Sequence, residues 1–366
     1  MLGCQIHSAA IYDRGGVVRI GPISDITQVS WSRLRDDVST ASVTVTLPSL
    51  DCENLLEATE PNRHELVIFR GTERVWEGVV TLMTYAETSI TIEARDVMYY
   101  AMRTIDHTGH NNSYPNIVSV VQRAMNLMTD ELARKEALDP PINVLPYMIG
   151  WVHEDDAQTS KVTDPWQSTI FNDIDNMSAR AGLDYTVLGR SVRFWDVHRI
   201  PAMGPTLTSD SFIGGVIVSS YGMEHATLAA VTDNQTHYGV FGGVDPYYGE
   251  WEILDAAYDE ATAGDTEPPS VAEMTRQAER NLNGRNPVPI IVRVPDNSAL
   301  NPQGMVSIDD LVPGTRFPLI ATLAGRTFSQ LQKLDSMQVK ETPEGETVSV
   351  TLSPSAADDT PTEEEA

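Results

Sequence analysis

The sequence predicts a mainly β chain of the α+β class: a β unit, an α+β unit, and a second β unit carrying a helical insertion. Three observations predict it. Two-residue alternation fills the first hundred residues and returns after about residue 205; helical periodicity is concentrated between them; and Gly, Pro and Asn cluster where the period changes. The clearest stretch is Val75 to Ile105. There Ile90, Ile92 and Ala94 face one way and Ser89, Thr91, Glu93 and Arg95 the other, the signature of a half-buried strand. The preceding run places Trp76, Val80 and Leu82 on one face, with Gly78 between them leaving room for a bulge or a close neighbour. Asp96 then opens a helical stripe of Met98, Ala101, Met102 and Ile105, so a hairpin runs into a short helix expected to plug or close the sheet.

Taken in order, Val29 with Trp31, then Ala41, Val43, Val45 and Leu47, alternate as strands, and Leu66 to Phe69 leads through Gly71-Thr72 into Val75 and Trp76 as a hairpin. Several short strands and one helix over residues 1–105 predict a small barrel. A polar linker, DHTGHNNSYP, opens the next unit, 106–204. An amphipathic helix is expected from about Pro115, with Ile117, Val120, Val121, Ala124, Met128 and Leu132 on its buried face. A second helix is expected from Asp164 as N-cap and Pro165 as first residue to Gly182 as C-cap, burying Trp166, Ile170, Ile174, Met177 and Ala181. Leu183, Tyr185 and Val187 then turn through Gly189-Arg190 into Val192 and Phe194.

The second β unit is read as 205–245 and 286–354. Val216 to Val218, Thr227 to Thr232 and His237 to Phe241 begin it; Val288, Ile290, Val292 and Val294, then Phe317 to Ala321, Met337 with Val339, and Val348, Val350 and Leu352 complete it. The insertion, 246–285, carries a helix opened by the capping box of Ser270 and Glu273 and closed by Gly284. The acidic end, 355–366, is expected to be disordered.

Composition limits function. With 366 residues, 41% of them hydrophobic, the chain can bury real cores. No apolar run approaches the roughly 18 residues that cross a bilayer, and MLGCQIHSAAIYDRGG lacks the pattern of a signal peptide, so neither anchor nor export signal is expected. The formal charge is −27, from 52 acidic and 25 basic residues, which argues against a static grip on phosphate, since that needs a basic footprint. Such a surface keeps a protein soluble, or, lining a channel, repels DNA and lets it slide. Cys4 and Cys52 are too few for the usual four-ligand metal site and are expected as free thiols.

The search for chemistry assigns no catalytic, cofactor-binding or metal-binding residue: HExxH, GxSxG, the Walker loop and GxGxxG are all missing. Asp106, His107 and His110 have the proximity to share a metal, but read better as a polar linker. His153-Glu154-Asp155-Asp156 has carboxylates for a hard cation, without the ordered spacing of a calcium loop. Tyr247, Tyr248 and Trp251 form an aromatic cluster suited to stacking a sugar or, more ordinarily, to a core or interface contact.

The chain resembles the hub proteins of bacteriophage tails, the family of the baseplate hub of contractile tails and of the N-terminal hub part of tail-associated proteins in long non-contractile tails. The resemblance is carried by FRGTERVWEGVV running into SITIEARDVMYYAMRTI, by DPWQSTIFNDIDNMSARAGLDYTVLGRSVRFWD, by LVPGTRFPL and by the closing hairpin MQVKETPEGETVSVTLSP. With no peptidase or lysozyme module after that hairpin, it is most similar to the minor tail proteins of siphophages infecting actinobacteria. The resemblance implies two similar β-barrels per chain and a homotrimer whose six barrels match the sixfold distal tail ring. It also implies a place at the tail tip of the virion, assembled in the host cytoplasm, with the C-terminal end of the tape-measure protein and other minor tail proteins as neighbours. DNA passes such a hub at ejection without specific binding. The family has no short invariant motif that maps residue by residue, so it assigns no contact residue here. Two other classes remain open: a cell-wall hydrolase, and a receptor-binding module holding a surface glycan on Tyr247 to Trp251.

Overall fold

The computed structural model describes residues 7–46, 49–109, 118–153, 157–159, 164–197, 203–233, 236–256, 270–293, 299–301 and 306–355. The chain opens with β1 (His7–Asp13), β2 (Arg19–Ile23), β3 (Ile26–Leu34), β4 (Thr40–Thr46), α1 (Leu50–Glu57), β5 (His64–Arg70), β6 (Glu73–Tyr85), β7 (Ser89–Arg95) and α2 (Met98–Met102). It continues with β8 (Val118–Ser119), α3 (Val120–Glu136), β9 (Gly150–His153), β10 (Gln158–Thr159), α4 (Ile170–Ala181), β11 (Leu183–Leu188) and β12 (Ser191–Asp196). The last part holds β13 (Phe212–Ile213), β14 (Ile217–Ser220), β15 (Leu228–Thr232), β16 (Tyr238–Gly242), β17 (Glu252–Ala256), α5 (Val271–Leu282), β18 (Ile290–Arg293), β19 (Ala299–Leu300), β20 (Arg316–Leu323), β21 (Arg326–Thr342) and β22 (Gly345–Pro354).

The class is α+β and mainly β, as the alternation predicts. One feature differs from two separate barrels. Among the described residues no sheet closes on itself, and one ten-stranded sheet runs β2-β1-β5-β6-β7-β4-β3-β21-β20, with β22 also on β21. The cause is the length of β21. Its 17 residues extend about 55 Å at roughly 3.3 Å per residue, too far for one small barrel. Its first half pairs with β20, and Ser336 to Glu341 pair with Leu34 to Val29 of β3. Met337 and Val339 consequently lie in one core with Trp31, Val43, Ile92, Phe317 and Leu352.

The first-unit alternation holds in detail: Val29, Trp31, Ala41, Val43, Val45, Ile90, Ile92 and Ala94 are all buried. Gly78 is where a close neighbour sits, since a Cβ there would lie 2.1 Å from the Arg95 carbonyl oxygen. Leu82 departs from its expected face. A register shift between Val80 and Leu82 in the β6–β7 ladder turns it outward.

A second core joins α3 and α4 to the β11–β12 hairpin, with Val121, Ala124, Leu127, Met128, Ile170, Ile174, Met177, Tyr185 and Phe194 buried together. Helix α2 belongs here: Met98, Tyr100 and Ala101 pack in this second core, so it plugs the junction between units instead of the β sheet. Helix α4 begins later than expected. Thr169 is its N-cap, accepting from the Asn172 N–H, while Trp166 is 69% exposed at φ +69°. Gly182 ends it in the left-handed conformation, as predicted. In α3 the expected stripe is buried from Val120 to Met128, with Ser119 as N-cap; Ile117 lies outside the described residues.

The capping box of Ser270 and Glu273 is formed at the start of α5. This helix covers one face of the small sheet β16-β15-β17, burying Ala229, Val231, Met274 and Ala278. Of the acidic end, Ser355 is buried with its N–H on the Leu331 carbonyl, and the rest lies outside the described residues.

Candidate functional site: a charged junction between the units

The sequence candidates separate in space. His107 donates its backbone N–H to Glu131 Oε1 at 3.1 Å, its Nδ1 lies 3.0 Å from the same carboxylate, and its ring meets the exposed Trp166 edge-on with centroids 4.3 Å apart. Asp106 Oδ1 accepts the N–H groups of Thr108 and Gly109. These contacts tie the linker to α3 and form no ligand set. His110 lies outside the described residues, as do Glu154, Asp155 and Asp156, and His153 is exposed. Among the described residues no group of three or more His, Cys, Asp or Glu side chains has the placement to hold a metal ion. Cys52 is a buried free thiol donating to the Ser24 carbonyl at 3.4 Å, and Cys4 lies outside the described residues.

Tyr247 and Trp251 are 87% and 57% exposed, so they are no core contact. Asp245 builds their loop by accepting the N–H groups of Tyr247 and Tyr248, and His225 packs on Tyr248 with ring centroids 4.5 Å apart. Tyr247 and Trp251 thus project from a hydrogen-bonded loop.

The densest charge lies where distant segments meet. Asp184, the fully buried second residue of β11, faces Arg35 Nη1 at 2.8 Å, Lys333 Nζ at 3.1 Å and Arg280 Nη2 at 3.4 Å. Arg35 also binds Asp36 and Asp335, both at 2.9 Å, and Arg280 reaches Asp36 at 3.0 Å. Four separate segments, the β3–β4 turn, β11, α5 and β21, are thus joined through charge. Burial works against the Asp184 charge, but Lys333, Arg35, Arg280 and Arg316 together hold its carboxyl well below the usual range. Burial, with the repulsion of Asp184, pushes Asp36 up to about 7 against the pull of Arg35 and Arg280. Lys333 goes down because its burial outweighs the attraction of Asp184. An open cavity of about 540 Å³ lies over this junction, with Arg35, Asp36, Arg280, Arg285 and Lys333 in its wall. Paired this way, the groups hold units together and offer no free nucleophile or acid–base pair.

A further cluster fastens the two ends of the large sheet. The buried indole of Trp31 donates to His7 Nε2 at 3.1 Å, so the imidazole proton sits on Nδ1, which donates to Glu341 Oε2 at 2.8 Å. Arg70 Nε and Nη2 reach the Glu346 carboxylate, each at 3.1 Å. Side chains of β1, β3, β5, β21 and β22 therefore draw the sheet round on itself without a closing ladder.

No protein-family model and no curated protein matches the sequence. Solved structures do match, over nearly the whole length. The prophage MuSo2 43 kDa tail protein from Shewanella oneidensis superposes with a TM-score of 0.56 at 12% identity, covering 96% of this chain and 98% of that one. The tail protein from Neisseria meningitidis MC58 gives 0.60 at 8% identity over 96% and 97%. Prophage tail protein gp18 from Listeria monocytogenes EGD-e gives 0.56 at 10% over 94% of both. The fold is that of phage tail proteins.

Within this tail-protein fold, the junction residues escaped sequence reading for a physical reason. Arg35, Asp184, Arg280 and Lys333 lie far apart in sequence, and a charge on an alternating strand reads as a solvent face. One local signal existed: in LDYTVL, Asp184 sits between Leu183 and Tyr185, and all three are buried, so the strand is covered on both faces.

Proposed function

We propose that the protein is a non-enzymatic structural component of a phage virion, a trimeric tail-tip hub that joins the sixfold distal tail ring to a threefold tip. The observation that carries this reading is the phage tail-protein fold, matched over 94–96% of this chain and 94–98% of the neighbours. In this reading residues 1–105 form one ring unit, and 205–245 with 286–354 the other. Two β units per chain give three copies six faces for a hexameric neighbour. The sharing of β21 between the two β units favours it, because strands that continue from one unit into the next fix their relative orientation. The α+β unit, 106–204, and the insertion, 246–285, pack together through α4 and α5, with Arg276 Nη1 on the Ala181 carbonyl at 3.4 Å.

Function follows from charge and fixity. The hub closes the tail channel, meets the C-terminal end of the tape-measure protein and other minor tail proteins, and opens for DNA ejection. A chain with a formal charge of −27 repels the phosphate backbone, so passing DNA needs no release step. The test is stoichiometry in the particle. Quantitative mass spectrometry of purified virions should give three copies for every six of the distal ring protein; six copies, or none, would reject the reading.

A further inference from the structure

We infer that the open face of the β16-β15-β17 sheet is the seat for the β1–β2 turn of a neighbouring copy of this chain. The inference rests on the trimeric reading above and names its contact. One face of this sheet is filled by α5, which comes so close that a Cβ on Gly239 would lie 2.2 Å from the Thr275 nitrogen. The other face has no cover among the described residues. Register sets its rows: Val240 of β16 stands opposite Ala230 of β15, and Ala230 opposite Leu254 of β17. In the next row Tyr238 and Ala256 flank Thr232. Leu254 is 75% and Tyr238 65% exposed, so the face is apolar and open to water. Glu252, two residues before Leu254 on the same strand face, gives it an exposed negative edge.

A second apolar patch with the opposite charge lies on the first β unit. Val17 is 83% and Val18 59% exposed in the β1–β2 turn, followed by Ile20 on β2, with the exposed Arg19 among them. Strand β2 ends the large sheet, so its outer edge is also unpaired in the ladder. A cyclic ring needs a head-to-tail contact between two different surfaces of the same chain. This chain has such a pair, one on the first β unit bearing Arg19 and the other on the small sheet that α5 covers, where the insertion's β17 bears Glu252. Because each copy carries a charge of −27, contact between two copies is favourable only where apolar surface and local opposite charge coincide.

The test uses the full chain with Cys4→Ser, carrying either Val17→Cys or Leu254→Cys, concentrated and oxidised. The inference expects disulfide-linked chains when the two variants are mixed and none when either is oxidised alone. Sedimentation should show Arg19→Glu and Glu252→Lys each weakening self-association at least tenfold, with the two substitutions combined in one chain restoring it. Disulfides within either variant alone would overturn it in favour of a two-fold contact. Trimers that form without the mixed disulfide would overturn this contact and leave the hub reading standing. A chain monomeric at every concentration and in assembled tails would overturn both.

Discussion

Replacing Asp184 by Asn tests how the units are held together. The side chain keeps its shape and loses its charge, and its three cations fare differently. Arg35 retains Asp36 and Asp335, and Arg280 retains Asp36. Lys333, buried in β21, has no other carboxylate within salt-bridge distance among the described residues. An uncompensated buried charge costs about 3–5 kcal/mol. At about 2 °C per kcal/mol for a chain of this size, the unfolding midpoint should drop by about 6–10 °C. The sign with pH follows from the direction of the shift. The Asp184 carboxyl is held low in the folded state, so its stabilisation is complete above the ordinary aspartate range and fades as pH falls below it. The penalty should therefore be full at pH 7 and shrink below about pH 4. Joining Asp184→Asn to Lys333→Met removes the stranded cation and should recover more than half of the loss. Thermal unfolding followed by near-UV circular dichroism reads each variant. A drop under 2 °C for Asp184→Asn, or a double variant as unstable as the sum of its parts, would refute the reasoning.

Other outcomes follow from the same geometry. Asp36, raised to about 7, keeps a proton that the unfolded chain releases, so its contribution to stability declines as pH rises from about 4 to 7. Asp36→Asn should accordingly gain on the wild type across that window, as midpoints measured at pH 4.5 and 8 will show. Trp31→Phe leaves His7 Nε2 without its donor and should cost about 1–3 kcal/mol in urea titration, even though the ring stays apolar. Gly78→Ala drives a methyl group into the Arg95 carbonyl, which cannot swing aside as a side chain would; the loss should sit near the top of the range of about 1–3 kcal/mol for overpacking, read by the same titration.

The sequence disclosed what is local. Period-two runs located the buried faces of β3, β4 and β7, glycine chemistry marked the end of α4, and the Ser270–Glu273 pair marked the start of α5. What it hid was pairing. Alternation says which side of a strand is dry but not which strand lies beside it, so Met337 with Val339 reads as a short strand of the second unit although β21 runs from Arg326 to Thr342 and also pairs with β3 of the first. Helix α4 starts later than its local sequence implies, because Asp164-Pro165 satisfies the rules for a cap and a first residue, while the backbone at Trp166 turns left-handed before Thr169 takes the role. Trp166, expected in the core, instead covers His107. The sheet fastening brings Glu341 to His7, 334 positions away, beyond the reach of any spacing rule. The aromatic loop at Tyr247 to Trp251 is visible in composition alone, whereas its exposure is set by the fold.

An image of the intact tail tip at side-chain resolution bears most directly on the central claim. The account predicts three copies of this chain around the channel, with their six β units facing the distal ring at near-equal intervals. Density showing a single copy on the axis, or six copies each offering one unit, would contradict it.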